Sequence, residues 1–226
     1  MFLTRMQLNP ARRAARTLLG SPQAMHAAVL AGFPDSRPTV DGRVLWRLDT
    51  DEDHKTFLYV ASPDKPDFVH IAEQIGWPTT STWETRSYAP LLDSLRIGQQ
   101  WHFRLTANPA HSVRLHDWPD TKPVGHITVK QQEQWLLDRV EKLGFRIPEG
   151  VHWAEEPLAV VSRTLRRFNR KGSKVTVATA TYEGHLEVTD PAALRRALTH
   201  GIGRAKAYGC GLLTLARPMR GRGQQG

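Results

Sequence analysis

One order of patterned segments occurs twice along this 226-residue chain, and it restricts the possible folds more than any other feature. In the first half, a weakly alternating strand over residues 2–8 precedes two helical segments. Asn9 and Pro10 begin the first helix, which continues to Gly20, and a Ser-Pro pair begins the second. Asparagine and serine cap helix N-termini and proline is tolerated at the first helical position, so both pairs are start signals.

The remainder of the first half predicts a hairpin, a helix and a closing strand. Two β-type runs, 44–48 and 56–61, flank an acidic turn at 49–54. Residues 67–76 predict a short helix closed by a glycine, and residues 83–88 predict a strand. The order of this half is therefore β-α-β-β-α-β.

The second half repeats the order. Residues 99–108 alternate between apolar and polar side chains, and residues 130–145 form the clearest helix, with one apolar face. Residues 158–189 predict a long basic hairpin, residues 190–201 a helix capped by aspartate, and residues 209–217 the last strand. We predict an α+β protein of two tandem ferredoxin-like (RRM-like, βαββαβ) domains, because hairpins outnumber the crossovers of a doubly wound α/β fold.

The predicted boundary near residue 90 gives an N-terminal domain of residues 1–90 and a C-terminal domain of residues 91–226. No apolar run approaches the ~20 residues of a membrane span, and Arg5 interrupts the apolar N-terminus, which argues against a signal peptide. The single cysteine, Cys210, excludes an intramolecular disulfide and a cysteine-based zinc site. We expect a cytoplasmic protein without a membrane partner.

Basic charge is concentrated at both ends of the chain. Residues 161–226 contain 13 Lys/Arg and three Asp/Glu, whereas residues 1–160 contain 18 Lys/Arg and 19 Asp/Glu. The first 34 residues carry four arginines and no acid. This distribution predicts a polyanionic partner such as a nucleic acid; the alternative is a generic basic surface.

Glycines and cations are interleaved in HGIGRAKAYGCGLLTL, residues 200–215, and we call residues 201–211 the Gly-rich loop. A dinucleotide-binding fingerprint needs G-x-G-x-x-G between a strand and a helix, and a P-loop needs G-x-x-x-x-G-K-[ST]; the sequence contains neither. Glycines let backbone N–H groups approach an anion, which neighbouring cations attract. The loop therefore predicts a phosphate contact, with a plain glycine-capped turn as the alternative.

The Gly-rich segment and the preceding YEGHLEVTDPAALRRAL resemble the C-terminal signature of the CasE family, the CRISPR repeat-processing endoribonucleases of the Cascade complex. The N-terminal MFLTRMQLNPARRAARTLLGSPQAMHAAVLAGFP is similar to the start of that family. The resemblance implies a metal-independent enzyme that binds the hairpin of a CRISPR repeat. It implies cleavage of the precursor RNA at the 3′ base of the stem by attack of a 2′-OH. The product guide RNA then stays with this subunit and the other Cascade subunits, and no cofactor is implied.

The catalytic histidine of the family corresponds to His26, in QAMHAA. Histidine suits proton transfer near neutral pH. Some members carry a tyrosine three residues earlier, where this chain has Gln23. Gln23 cannot titrate but can orient a phosphate or a water, so His26 would act with a lysine or an arginine, or as the sole proton carrier.

The predicted RNA-binding residues lie in three segments. They are Arg12, Arg13, Arg16 and Gln23 near the N-terminus, Arg163, Arg166, Arg167, Arg170, Lys171 and Lys174 on the basic hairpin, and Gly201, Gly203, Arg204 and Lys206 in the Gly-rich loop. Strand alternation places Arg163 and Arg167 on one side of the hairpin and Arg166 on the other. An RNA stem presents mainly phosphates and 2′-hydroxyls, which suit such cations.

A metal site is not predicted. Among ten histidines, His111 and His116 are at loop spacing, and no H-E-x-x-H motif occurs. The alternative function is a non-catalytic RNA-hairpin-binding subunit of a ribonucleoprotein complex, with its activity lost together with the tyrosine.

Overall fold

A computed structural model describes residues 1–78, 83–113, 122–126, 128–148, 157–170 and 173–218, with the backbone alone at 111–113, 122–124, 169–170 and 173–174. The first antiparallel sheet contains β1 (Phe2–Leu8), β2 (Leu45–Thr50), β3 (Thr56–Ser62) and β4 (Trp83–Ser87). Its helices are α1 (Ala15–Gly20), α2 (Pro22–Leu30) and α3 (Val69–Ile75), followed by α4 (Ala89–Ser94). The strand order β2-β3-β1-β4 is that of a split-βαβ, ferredoxin-like unit.

The second sheet has the same arrangement. Its strands are β5 (Gln100–Ala107), β8 (Phe145–Arg146), β9 (Leu158–Arg170), β10 (Ser173–Val188) and β11 (Leu213–Ala216), with α5 (Val129–Val140) and α6 (Pro191–His200). β11 pairs with β5, β5 pairs with β10, and both β8 and β9 pair with β10. A separate small hairpin joins β6 (Ala110–Val113) to β7 (Lys122–Gly125). The predicted α+β architecture of two tandem ferredoxin-like units is confirmed.

The division of the chain at residue 90 stays a prediction. That position lies in α4, whose Leu92 packs with Tyr88 in the hydrophobic cluster built around β5 and β10. A second cluster, built around Met6, Met25 and Phe68, lies between the first sheet and α1 to α3. None of the helices within the described ranges is both long and apolar enough to cross a membrane.

The first helix begins later than predicted. Asn9 accepts a hydrogen bond at Oδ1 from the Ala11 N–H, 3.0 Å away, and this turn replaces the first helical residues. Short polar side chains compete with helix formation in this way, so α1 begins only at Ala15. Three short elements were not predicted: α4, the β6–β7 hairpin and β8.

Arg47 joins the two sheets. Arg47 lies on β2 and is 2% exposed, and its guanidinium donates to the carboxylate of Asp49. It also donates to the backbone carbonyls of Arg104 and Leu212, both at 2.9 Å, and to Thr214 Oγ1 at 2.9 Å. These bonds fix β2 against β5 and β11, which places the Gly-rich loop beside the first sheet.

Candidate functional site

α2 positions His26. Ser21 caps this helix by accepting the Ala24 N–H at 3.2 Å, as predicted, and Pro22 occupies its first turn. Met25 and Val29, four residues apart, are buried on the core side of the helix. His26 is half-buried beside them.

The His26 ring contacts a buried tryptophan that the sequence analysis did not single out. Trp46 Nε1 donates to His26 Nδ1 at 3.2 Å, and Trp46 is 1% exposed. The other edge of the indole faces Gly209, where an added Cβ would lie 2.9 Å from a ring carbon. Gly209 also has φ +79°, so only glycine fits this approach without strain.

The Gly-rich loop packs against the helix that carries His26. Its short 3-10 turn, Lys206–Tyr208, contacts α2 directly. Lys206 is half-buried and donates from Nζ to the carbonyl of Gly203. Burial, and secondarily the charge of Arg43, lowers the pKa of Lys206. Ala205, just before the turn, has φ +58°, a strained conformation of the kind that collects at functional sites.

Arg43 is a second residue that the sequence analysis missed. Its side-chain Nε is buried and has no hydrogen-bond partner among the described residues. Its backbone N–H donates to the carbonyl of Thr199 at 3.1 Å, which holds it at the base of the Gly-rich loop. A lone arginine before a strand matches no motif, so the sequence offered no signal for it.

The basic hairpin reaches the Gly-rich loop with one of its two sides. Phe168 packs edge-on against Tyr208, with ring centroids 4.8 Å apart. Burial raises the pKa of the Cys210 thiol to about 12, and the nearby charge of Arg166 partly opposes this rise. Arg163 and Arg167 are exposed on the other side, as strand alternation predicts. The side chains of Arg170 and Lys174, and all of Lys171, lie outside the described residues.

The N-terminal arginines lie around a surface depression of about 710 Å³, lined by residues 10–14, 16 and 17. Arg12 is half-buried and donates from Nη1 to the carbonyl of Gly76 at 3.1 Å. Arg13 and Arg16 are exposed. Gln23 is exposed on α2, three residues before His26. Arg13 and Arg16 are therefore open to solvent, whereas a hydrogen bond to the Gly76 carbonyl fixes the side chain of Arg12.

Internal packing explains one glycine that was predicted to approach RNA. A Cβ on Gly201 would lie 2.7 Å from Leu45, and the Gly201 N–H caps α6 by donating to the carbonyl of Ala197. Gly203 and Arg204 are exposed in the loop. Their contacts with phosphate stay predictions.

The arrangement suits proton transfer beside a phosphodiester. Trp46 bonds to His26 on α2, which packs against the turn that carries Lys206. The charge of Arg43 acts on Lys206, and that of Arg166 acts on Cys210 of the same loop. A positioned imidazole can move a proton, and nearby cations stabilise negative charge that develops on a reacting phosphate. Over the described parts of the chain, no group of three or more His, Cys, Asp or Glu side chains is arranged to hold a metal ion.

Comparison with known proteins identifies relatives in sequence and in fold. The sequence profile of a family described as "CRISPR associated protein" matches residues 1–217. The CRISPR-associated endoribonuclease Cse3 of Thermus thermophilus is 32% identical over 227 residues, covering 96% of this chain and 100% of that protein. The CRISPR system Cascade subunit CasE of Escherichia coli is 33% identical over 129 residues, 54% of this chain and 60% of that protein.

A solved structure of CRISPR endoribonuclease Cse3 bound to a 19-nucleotide RNA has a similar fold. Its TM-score is 0.78 at 31% identity, and the match covers 96% of this chain and 100% of that chain. Profile, sequence and fold agree over nearly the full length, and the protein therefore belongs to the CRISPR-associated protein family that includes Cse3 and CasE.

Proposed function

We propose that this protein is an endoribonuclease that binds the hairpin of a CRISPR repeat RNA and cleaves the precursor at the 3′ base of the stem. The observation that carries the proposal is the position of His26. This residue lies on α2, the helix that contacts the Gly-rich loop, and it accepts a hydrogen bond from Trp46. The names of the relatives support it, since Cse3 is an endoribonuclease with an RNA-bound structure. CasE is named a Cascade subunit, which supports assembly with other Cascade subunits. We propose that the guide RNA stays in that assembly and that the protein acts in the cytoplasm.

The proposed reaction is an internal transesterification. The 2′-oxygen upstream of the scissile phosphate attacks phosphorus, and the bond from phosphorus to the 5′-oxygen breaks. The 2′-OH loses its proton and the leaving 5′-oxygen gains one, so the products are a 2′,3′-cyclic phosphate and a 5′-OH, and no water is consumed. His26 carries a proton in this exchange, help worth roughly 10²–10⁴-fold in rate.

Cations would stabilise the additional negative charge on phosphorus-bound oxygens in the transition state. Lys206 would take this role, because its 3-10 turn lies against α2, and Arg43, whose charge acts on Lys206, would assist it. The lowered pKa of Lys206 reflects a partly desolvated setting, in which a charge interacts more strongly with a bound phosphate.

The stem would lie against the basic hairpin and the N-terminal arginines. Arg166 faces the Gly-rich loop, and Arg163 and Arg167 face the other way, so the hairpin can contact both strands of a stem. Phosphate and 2′-OH contacts are the main ones an RNA stem offers. Arg13 and Arg16 extend this surface at the N-terminal depression.

A single-turnover experiment on a repeat hairpin tests the function. We expect wild-type protein to cleave in EDTA, and His26→Ala to abolish cleavage while binding stays within a few-fold. A 2′-deoxy nucleotide just upstream of the scissile phosphate should also block cleavage. His54→Asn, an exposed histidine with φ +59° where asparagine is tolerated, is the matched control and should cleave normally.

Two results would contradict the proposal. Binding of the hairpin by wild-type protein without cleavage would favour the non-catalytic RNA-binding subunit, to which the glutamine at position 23 also points. Strict dependence on added Mg²⁺ would exclude the metal-independent mechanism.

A further inference from the structure

We propose that Trp46 is a positioning residue for the cleavage reaction, because its indole N–H determines which nitrogen of His26 carries the proton. The inference deepens the proposed function and rests on the role of His26 in it.

The indole is held in one orientation from several directions. It lies on β2, is 1% exposed, and packs in the first hydrophobic cluster. The six-membered ring lies against Gly209, where a side chain would collide with it: an added Cβ would sit 2.9–3.3 Å from three ring carbons. With the benzene edge held there, the N–H edge is directed at His26 Nδ1, 3.2 Å away.

The chemistry of the two rings fixes the tautomer. An indole N–H only donates, so His26 Nδ1 must accept with its lone pair. A neutral imidazole carries one proton, which is therefore on Nε2. A second proton, on Nδ1, would set two donors against each other and leave the buried indole N–H unpaired, which is unfavourable. Trp46 thus favours the neutral ring that carries its proton on Nε2.

This arrangement assigns different work to the two nitrogens. Nδ1 accepts from Trp46, so the proton on Nε2 is the one that His26 would transfer toward a phosphate oxygen or the leaving 5′-oxygen. A neutral imidazole that lost its Nε2 proton would become an anion, so His26 donates this proton only after Nδ1 has gained one. Protonation of Nδ1 breaks the hydrogen bond from Trp46. Trp46 therefore holds His26 in position before the reaction and opposes its protonation.

The surroundings of α2 also contain other titratable groups, which the test must keep constant. The elements packed against α2 bring Lys206 and Tyr208 on the 3-10 turn, Arg16 on α1, and His70 and Glu73 on α3. The His70 ring N–H at Nε2 is bonded to the carbonyl of Ala28 at 2.7 Å. Trp46→Phe changes none of these groups and keeps an aromatic ring against Gly209.

Nitrogen NMR of histidine-labelled protein without RNA tests the tautomer directly, with His26→Ala used to assign the signals. We expect wild-type His26 to carry its proton on Nε2 alone. Trp46→Phe should show a mixture of tautomers and a titration midpoint about 0.5–1 pH unit higher, the size of one hydrogen bond. Trp77→Phe, which removes an indole N–H that donates to the Leu8 carbonyl, is the matched control and should resemble wild type.

Cleavage rates across pH give the second readout. The limb of the single-turnover profile that depends on His26 should move to higher pH in Trp46→Phe and stay unchanged in Trp77→Phe. Wild-type His26 protonated on Nδ1, or a Trp46→Phe protein with wild-type tautomer and pH profile, would overturn the inference. The wild-type spectrum decides the tautomer even where the variant fails to fold. A wild-type protein that does not cleave would contradict the proposed function while leaving the spectrum intact.

Discussion

The ring of Phe168 lies edge-on against the ring of Tyr208, with centroids 4.8 Å apart and planes at 66°. The two residues are far apart in sequence, one on β9 of the basic hairpin and the other in the Gly-rich loop. Because the same loop packs on α2, the pair connects the surface proposed to bind the stem with the helix that carries His26. We therefore expect this aromatic contact to couple stem binding to cleavage.

Phe168→Ala should weaken that connection. Edge-to-face pairs are worth about 0.5–1.5 kcal/mol beyond the buried area, so we expect the single-turnover rate to fall roughly three- to tenfold at saturating RNA. Phe168→Tyr keeps the ring and should cleave at nearly the wild-type rate. Equal rates for the alanine and tyrosine variants would show that the contact does not couple the hairpin to the site.

Arg47→Met should destabilise the protein strongly. The change removes a 2% exposed guanidinium that holds Asp49 and two backbone carbonyls of the second sheet. Breaking a buried ion pair by removing one partner costs about 3–5 kcal/mol, measurable by urea unfolding. Arg37→Met, which breaks the fully exposed pair with Asp35, is the control and should leave the unfolding free energy unchanged. A similar small effect for both variants would mean that Arg47 does not hold the sheets together.

Local signals in the sequence predicted the elements that obey local rules. Ser21 and Asp190 cap α2 and α6 as predicted, and Gly144, with φ +81°, ends the helical segment after α5. The helix start predicted at Asn9 was wrong, because the Asn9 side chain accepts the Ala11 N–H and forms a turn in place of a helix. The repeated order of strands and helices was sufficient for the fold because each sheet buries one face.

The candidate site was predicted only in part, because its decisive contacts join distant segments. His26 was identified through the family resemblance. Trp46, 20 residues later, contacts it only once β2 and α2 pack together. Arg43 became a candidate only through its unpartnered Nε beside the Gly-rich loop. Spacing along the chain contains no information about such contacts.

Cys210 should be unreactive in the folded protein. The thiol is fully buried, and burial raises its pKa from 9.0 to about 12 against the opposing charge of Arg166. The thiolate is the reactive form, so alkylation at about pH 8 should proceed only through unfolding, and rapidly in denaturant. The unfolded thiol ionises at lower pH than the folded one, so stability should also fall as pH rises above 9.0. Fast alkylation of the native protein would show that the Gly-rich loop opens readily.

Gln23→Tyr should not reduce cleavage and should raise it modestly. Gln23 is exposed one turn before His26, so a tyrosine fits there without disturbing the core. A phenol at this position restores the residue type that some family members carry, and it adds a group that can donate or accept a proton. Single-turnover rates check this, with Gln23→Phe as the control for ring size alone. A loss of more than about tenfold, or ~1.4 kcal/mol, would show that Gln23 has its own role.

Arg204 and Lys206 should contact phosphates near the cleaved bond, and their removal should change both binding and rate. Each phosphate contact releases counterions, so losing one should flatten the log–log salt dependence of binding by about 0.7–0.9. Arg204→Ala removes an exposed cation, whereas Lys206→Met keeps the packing of a half-buried stem and removes the charge together with the hydrogen bond to the Gly203 carbonyl. Lys142→Met, an exposed lysine after α5 and outside the predicted RNA surface, controls for net charge.

We expect the two loop variants also to cleave more slowly at saturating RNA, because the charges they remove stabilise the transition state. Charge removal at Arg163 or Arg167 should weaken binding alone. Binding isotherms at several salt concentrations, paired with single-turnover rates, separate these effects. Unchanged slope and unchanged rate in both loop variants would mean that the glycines of this loop serve only to pack it against Trp46 and Leu45.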